Sequence, residues 1–261
     1  MGTREVEFYR AVAPTISMRV PECHFAAPAP TERFLMLLED LAARGCAISD
    51  GSWAIPGRRR AGVEELAELH VRWEDRAPRG GPALGDLHAG QGARIRVRTL
   101  RYVIDHCADR LSDGYLEVAR LYIDHHDAIE AAWARGPQTL IHGDAHIGNL
   151  FIDGDRVGFL DWGMAKIGTP MRDLGFFLTM GLESEDRRAK SARSSGTIST
   201  PPEAPRRQSD RLRRGLGAHR IEAAYSVIAS FLSLVPPYNT EARRMFTTNF
   251  PAPAPWPPST T

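Results

Sequence analysis

Leu140-Ile141-His142-Gly143-Asp144-Ala145-His146-Ile147-Gly148-Asn149-Leu150, followed by Phe159-Leu160-Asp161-Trp162, is the stretch that decides the fold. Thr139–Ile141, Asn149–Ile152 and Val157–Leu160 are short apolar runs of strand type. Asp153-Gly154 between the second and third is a strong hairpin signal. A loop after the first strand then offers His142, Asp144, His146 and Asn149, and Asp161 emerges at the end of the third. Strand, loop, strand, turn, strand brings the ends of neighbouring strands together. Asp144, Asn149 and Asp161 are therefore expected to converge on one small volume.

Two carboxylates and an amide oxygen in one volume suit phosphoryl transfer. One carboxylate accepts or orients the proton of an attacking hydroxyl; the other, with the amide, holds Mg²⁺ against nucleotide phosphates. The spacing His-Gly-Asp-x-His-x-x-Asn, with Asp-Trp following, resembles the catalytic signature of the aminoglycoside-phosphotransferase and choline-kinase-like phosphotransferases. The resemblance implies an α+β, protein-kinase-like fold, with a small ATP-binding lobe and a mainly helical catalytic lobe. It implies ATP and Mg²⁺ as cofactors and a small-molecule alcohol as substrate. By it, Asp144 is the catalytic base, Asn149 and Asp161 are the Mg²⁺ ligands, and His142, His146 and Asp173 (in Met171-Arg-Asp-Leu-Gly) support the loop. Gly163 follows Asp161-Trp162 where many relatives carry Glu.

The resemblance continues outward from the motif. Glu5-Val-Glu-Phe-Tyr-Arg, in a helix expected over residues 3–12, resembles the helix whose glutamate pairs with the ATP-binding lysine. Glu39, Asp40 and Leu41 lie where a strand at Phe34–Leu38 runs into the hinge that receives adenine, and Val20–Ala26 reads as another strand. Helices are expected at Val63–Trp73, Tyr115–Trp133, Arg172–Leu182 and Ala218–Val235 from apolar residues at helical spacing. Residues 51–62 and 76–95, rich in Gly, Pro and Arg, read as loops. The expected organisation is a lobe remnant and hinge at 1–42, a catalytic lobe at 43–250 and a disordered Pro-rich tail at 251–261.

Two features depart from the family pattern. Of 33 basic residues only Lys166 and Lys190 are lysine, so no lysine precedes Glu5. A kinase of this kind places a glycine loop and a lysine-bearing strand there, and the expectation is a truncated N-terminal lobe, from a misassigned start or a truncated gene, with impaired activity. Residues 190–217, dense in Ser, Thr, Pro, Arg and Gly, read either as a disordered loop or as a shifted reading frame, since Ser191–Pro205 back-translates to an amphipathic helix in the neighbouring frame.

The totals set the class. At 261 residues and 43% hydrophobic content, the chain can bury a sizeable core. A net charge of +1 gives no pull toward nucleic acid. Cys23, Cys46 and Cys107 have no metal or disulfide spacing, which fits a reducing cytoplasm, and no apolar run long enough for a membrane span occurs. Two other functions remain open: a non-catalytic, pseudokinase-like nucleotide-binding remnant, and a metal-dependent hydrolase using His142, Asp144, His146 and Asp161. His70 and His126 read as satisfied packing histidines. Trp133, Phe176, Phe177 and Tyr225 read as core rather than substrate wall.

Overall fold

The computed structural model describes residues 2–30, 33–48, 58–74, 89–181 and 225–236, apart from 227 and 230. The 190–217 segment and the 251–261 tail lie outside the described residues. Helices and three small sheets are mixed along the chain, an α+β arrangement. The chain divides into two compact units, Met1–His88 with Ala134–Phe177, and Ala89–Trp133 with Leu178–Thr261.

In the first unit, α1 (Gly2–Glu7) runs into a single π turn at Phe8–Val12 and a 3₁₀ turn at Ala13–Thr15. Pro14 has no N–H to donate, which stops the helix. Val6, Phe8, Tyr9 and Val12 are buried, so packing of one face sets where this short helix sits. β1 (Cys23–Pro28) pairs antiparallel with β2 (Phe34–Leu38). β1 starts three residues later than Val20, because Arg19 instead bridges to Gly158 and Pro21 cannot donate to a ladder. Cys23, Ala26, Met36 and Leu38 face the core, whereas Phe25, Leu35 and Leu37 are about half exposed.

β3 (Ala47–Ile48), β5 (Leu150–Asp153) and β6 (Arg156–Phe159) form one antiparallel sheet in the order β3-β5-β6. β4 (Thr139–Ile141) pairs instead with β7 (Lys166–Gly168). The expectation that β4 and β5 are adjacent strands is corrected: the loop between them passes from one small sheet to another. The β5–β6 hairpin turns at Gly154, where φ is +59°. α2 (Arg58–Glu74) begins five residues before Val63, so Arg58–Arg60, read as loop, opens a helix whose Arg60 pairs with Glu64 one turn on. It buries Leu66, Leu69, His70 and Trp73, and the His70 carbonyl accepts the Thr139 hydroxyl of β4 at 2.6 Å. α5 (Pro170–Gly181) starts with Pro at its first position, where a missing N–H costs nothing. The unit's core gathers Phe8, Tyr9, Leu66, Trp73, Leu140, Phe159, Trp162 and Phe177.

The second unit is helical among its described residues. α3 (Ala89–Cys107) covers residues 89–95, which composition assigned to a loop; Ala93 packs inside, and tertiary contacts override the poor helix propensity of Gly90 and Gly92. α4 (Asp113–Trp133) is kinked at His125 (φ −128°, ψ 23°). Arg96 spans the kink, with its Nε donating to Tyr122 Oη at 2.8 Å and Glu130 Oε1 at 3.0 Å. Trp133 and Tyr225 are buried with Leu100, Val103 and Phe231, so both serve as core. His126 Nδ1 lies 3.1 Å from the Ile123 carbonyl, as a satisfied packing histidine would.

Candidate active site

The loop 142–149 is held from below by one carboxylate. Asp173, in the first turn of α5, is 1% exposed. Its Oδ2 accepts the His142 N–H at 2.7 Å and lies 3.0 Å from His70 Nε2, and its Oδ1 accepts the Gly143 N–H at 2.8 Å. Burial alone would raise this acid's pKa, but the hydrogen bond and charge of His70 and the Gly143 amide hold it below the ordinary carboxylate value. Gly143 itself sits at φ +82°, and a Cβ there would lie 2.3 Å from the Met164 carbonyl oxygen. No other residue type fits that turn without moving backbone.

His142 is fully buried and links three parts of the site. Its Nδ1 accepts the Asp144 N–H at 3.3 Å and its Nε2 faces the Leu160 carbonyl at 3.1 Å. That pairing requires the neutral Nε2–H form. Burial lowers its pKa in the same direction. Leu160 is gripped from the other side too, its N–H donating to the Asn149 carbonyl at 2.9 Å. The residue that follows is Asp161. It is exposed and adopts a left-handed conformation (φ 62°, ψ 69°), the one positive-φ position outside glycine among the described residues. Aspartate tolerates that region better than most side chains.

Asn149 is buried and donates its Nδ2 to the Asp144 carbonyl at 2.9 Å, with Asp144 Oδ2 at 3.5 Å. Its amide N–H groups are thus directed into the loop, and Oδ1 is the atom it can present to a cation. Asp144 is partly exposed at the loop's outer side. His146 Nε2 lies 3.7 Å from Asp144 Oδ2, too long for a hydrogen bond. Burial, with the nearby His142, pushes the His146 pKa down to about 3, so it stands beside Asp144 as a neutral ring.

Trp162 anchors the far side. Its ring is buried, stacks on Phe8 at 3.9 Å, and donates Nε1–H to the Phe159 carbonyl at 3.1 Å. Its backbone N–H reaches Glu5 Oε1 at 3.3 Å. Glu5 therefore lies at the Asp161-Trp162 step, and its pKa is raised by burial first and by the Asp161 charge second.

Residues 39–41 are used differently from one another. The Glu39 carboxylate, 5% exposed, is held by Arg19 at 2.7 Å, Arg44 at 3.0 Å and the Glu22 N–H at 2.9 Å. Its own N–H donates to the Glu22 carbonyl at 2.8 Å. Asp40 Oδ1 accepts the Ala42 and Ala43 N–H groups at 3.0 and 3.1 Å, closing the turn. Leu41 packs with Cys46 and Phe151. Sequence reasoning missed Arg19, which leaves no signal as one arginine among many.

The fit of Mg²⁺ rests on the donors: an exposed carboxylate and a directed amide oxygen are hard ligands of the type it takes, and it needs few from protein. The hydrolase set fits less well, because both His142 nitrogens are engaged by backbone. Among the described residues no group of three His, Cys, Asp or Glu is placed to hold a metal ion. No helix among them is long and apolar enough to cross a membrane.

The phosphotransferase enzyme family model matches residues 2–236. A choline/ethanolamine kinase family protein from Mesorhizobium loti is 17% identical with a TM-score of 0.52, over 95% of this chain and 74% of its own. A thermostable mutant of aminoglycoside phosphotransferase APH(4)-Ia, in ternary complex with ADP and hygromycin B, is 13% identical with a TM-score of 0.51, over 95% and 80%. The GDP complex of aminoglycoside 2'-phosphotransferase-IIIa is 14% identical with a TM-score of 0.50, over 94% and 80%. No curated protein matched the sequence significantly. At these identities the solved structures establish the kinase-like fold, and the family model establishes the membership: this chain belongs to the phosphotransferase enzyme family.

Proposed function

We propose that the chain transfers a phosphoryl group from ATP to a hydroxyl of a small molecule, at the cluster of Asp144, Asn149 and Asp161. The observation that carries this reading is the way Leu160 is clamped between His142 and Asn149. Asp161 is the next residue, and the Asn149 side-chain amide bonds in turn to the Asp144 carbonyl, which supports a common site.

Asp144 accepts or orients the proton of the attacking hydroxyl, which makes the oxygen a better nucleophile. Asn149, through Oδ1, and Asp161 hold Mg²⁺, which when bound offsets phosphate charge. Asp173 and His142 keep the loop in place, and the neutral His146 adds no positive charge that would tie up Asp144. Residues 39–41 offer the edge for the nucleotide base through their backbone. The alcohols named for relatives, choline, ethanolamine and hygromycin B, are the first acceptors to try.

The second reading is a nucleotide-binding remnant without turnover. Losing one preorganised charge costs on the order of 10²–10³-fold in rate, so slow transfer and none are separable by assay. ATP consumption and phosphorylated product are followed with Mg²⁺ and these acceptors, for the wild type and Asp144→Asn. A drop of about 10²–10⁴-fold in the variant, at unchanged ATP affinity, supports the transferase. ATP binding with no product supports the remnant. Equal turnover in both proteins would refute the assigned base.

A further inference from the structure

Arg19 lies outside every motif, yet it joins two parts of the proposed site. Its side chain is 12% exposed. Nη2 donates to Glu39 Oε1 at 2.7 Å and Nε to Asp153 Oδ2 at 2.8 Å; Nη1 donates to the Val20 carbonyl. The guanidinium carbon stands 5.2 Å from the centre of the Phe151 ring. Its carbonyl oxygen accepts the Phe159 N–H at 3.1 Å, where the chain bridges to Gly158. A Cβ on Gly158 would come within 2.4 Å of that oxygen, so the close approach requires glycine.

The two carboxylates belong to different elements. Glu39 follows β2 and begins the 39–41 edge. Asp153 ends β5, the strand whose other end follows Asn149, and pairs across the hairpin with Arg156 of β6, the strand that leads to Asp161. The Arg19 backbone and side chain thus contact both strands of the metal-side hairpin and the start of the base-side edge. A nucleotide held at both places spans them, so its affinity depends on their spacing. Placement errors near 1 Å cost up to about a hundredfold where geometry matters.

We propose that Arg19 is a positioning residue, whose guanidinium fork fixes the 39–41 edge against the β5–β6 hairpin and so sets nucleotide affinity. This rests on the phosphotransferase reading of the same site. The fork matters as well as the charge: lysine presents a point charge on a flexible stem and cannot hold two carboxylates in one plane. An arginine that served stability alone would lower the unfolding temperature and leave nucleotide affinity and its ratio to turnover unchanged.

The test measures MgATP Kd by calorimetry, and KM and kcat where turnover is found, for the wild type, Arg19→Lys, Arg19→Gln and Asp153→Asn. Asp153→Asn perturbs only a partly exposed partner and guards against a variant that fails to fold. Expected are a rise of about tenfold in Kd and KM for both Arg19 variants, less than threefold change in kcat, and a smaller rise for Asp153→Asn. Asp153→Asn combined with Arg19→Gln should add little to Arg19→Gln alone. Variants that fold and bind MgATP as tightly as the wild type overturn the positioning role and leave the phosphotransferase reading standing. A folded wild type that binds no nucleotide overturns both.

Discussion

Asp173→Asn is the perturbation that tests the site's foundation. In the native chain one buried carboxylate receives two backbone N–H groups at 2.7 and 2.8 Å and faces His70 at 3.0 Å. Hydrogen bonds to a charged group each contribute roughly 1.5–3 kcal/mol. Asparagine keeps one oxygen acceptor and turns an NH₂ donor toward donors. At least one backbone N–H is then buried without a partner, and the attraction to His70 is lost. Breaking a buried charged arrangement from one side costs about 3–5 kcal/mol. For a domain of this size that is a fall of roughly 6–20 °C in Tm. Urea unfolding of both proteins, with matched m-values, measures the difference directly. His70→Asn in a double-mutant cycle should give a non-additive term of about 0.5–3 kcal/mol. A loss below about 1 kcal/mol for Asp173→Asn would refute the claim that this carboxylate holds the loop.

Gly143→Ala should cost about 2–5 kcal/mol, from a left-handed φ and a Cβ driven onto the Met164 carbonyl, and thermal unfolding reads it. Acid should destabilise the chain early. His146 stays neutral in the folded state down to about pH 3 and His142 is shifted the same way, while in the unfolded chain both protonate near 6.5. Unfolding free energy should then fall below pH 6.5 by up to about 2.7 kcal/mol per pH unit, and His146→Gln should halve that slope in pH-dependent urea titrations. Glu5→Gln should stabilise the chain at neutral pH. Glu5 has a raised folded pKa, so its ionisation opposes folding as pH rises above its unfolded value of 4.5, and the gain should vanish in acid where both states are protonated. A variant less stable than the wild type at pH 7 would contradict the reading of Glu5 as a burdened carboxylate.

The strong elements were legible because their signals are local. The hairpin at Asp153-Gly154 and the helix ending at Trp133 are written in adjacent residues, and the structure reproduces both. Element edges were less legible. β1 begins late because Arg19 and Val20 are drawn elsewhere, and α2 begins early because Arg60 finds Glu64 a turn away. The helix through Gly90 and Gly92 was invisible, since only burial of residues such as Ala93, Leu100 and Val103 makes it worth forming.

By itself the sequence determined the chemistry available: which acids, amides and imidazoles stand within one short loop and one strand end. Only tertiary structure decided how they are used. It set β4 beside β7 rather than β5, brought His70 against Asp173 under the loop, and turned Arg19 into a link between Glu39 and Asp153. The physical reason is that a buried polar group must find a partner, and the partner is chosen by proximity in space, which spacing along the chain does not encode.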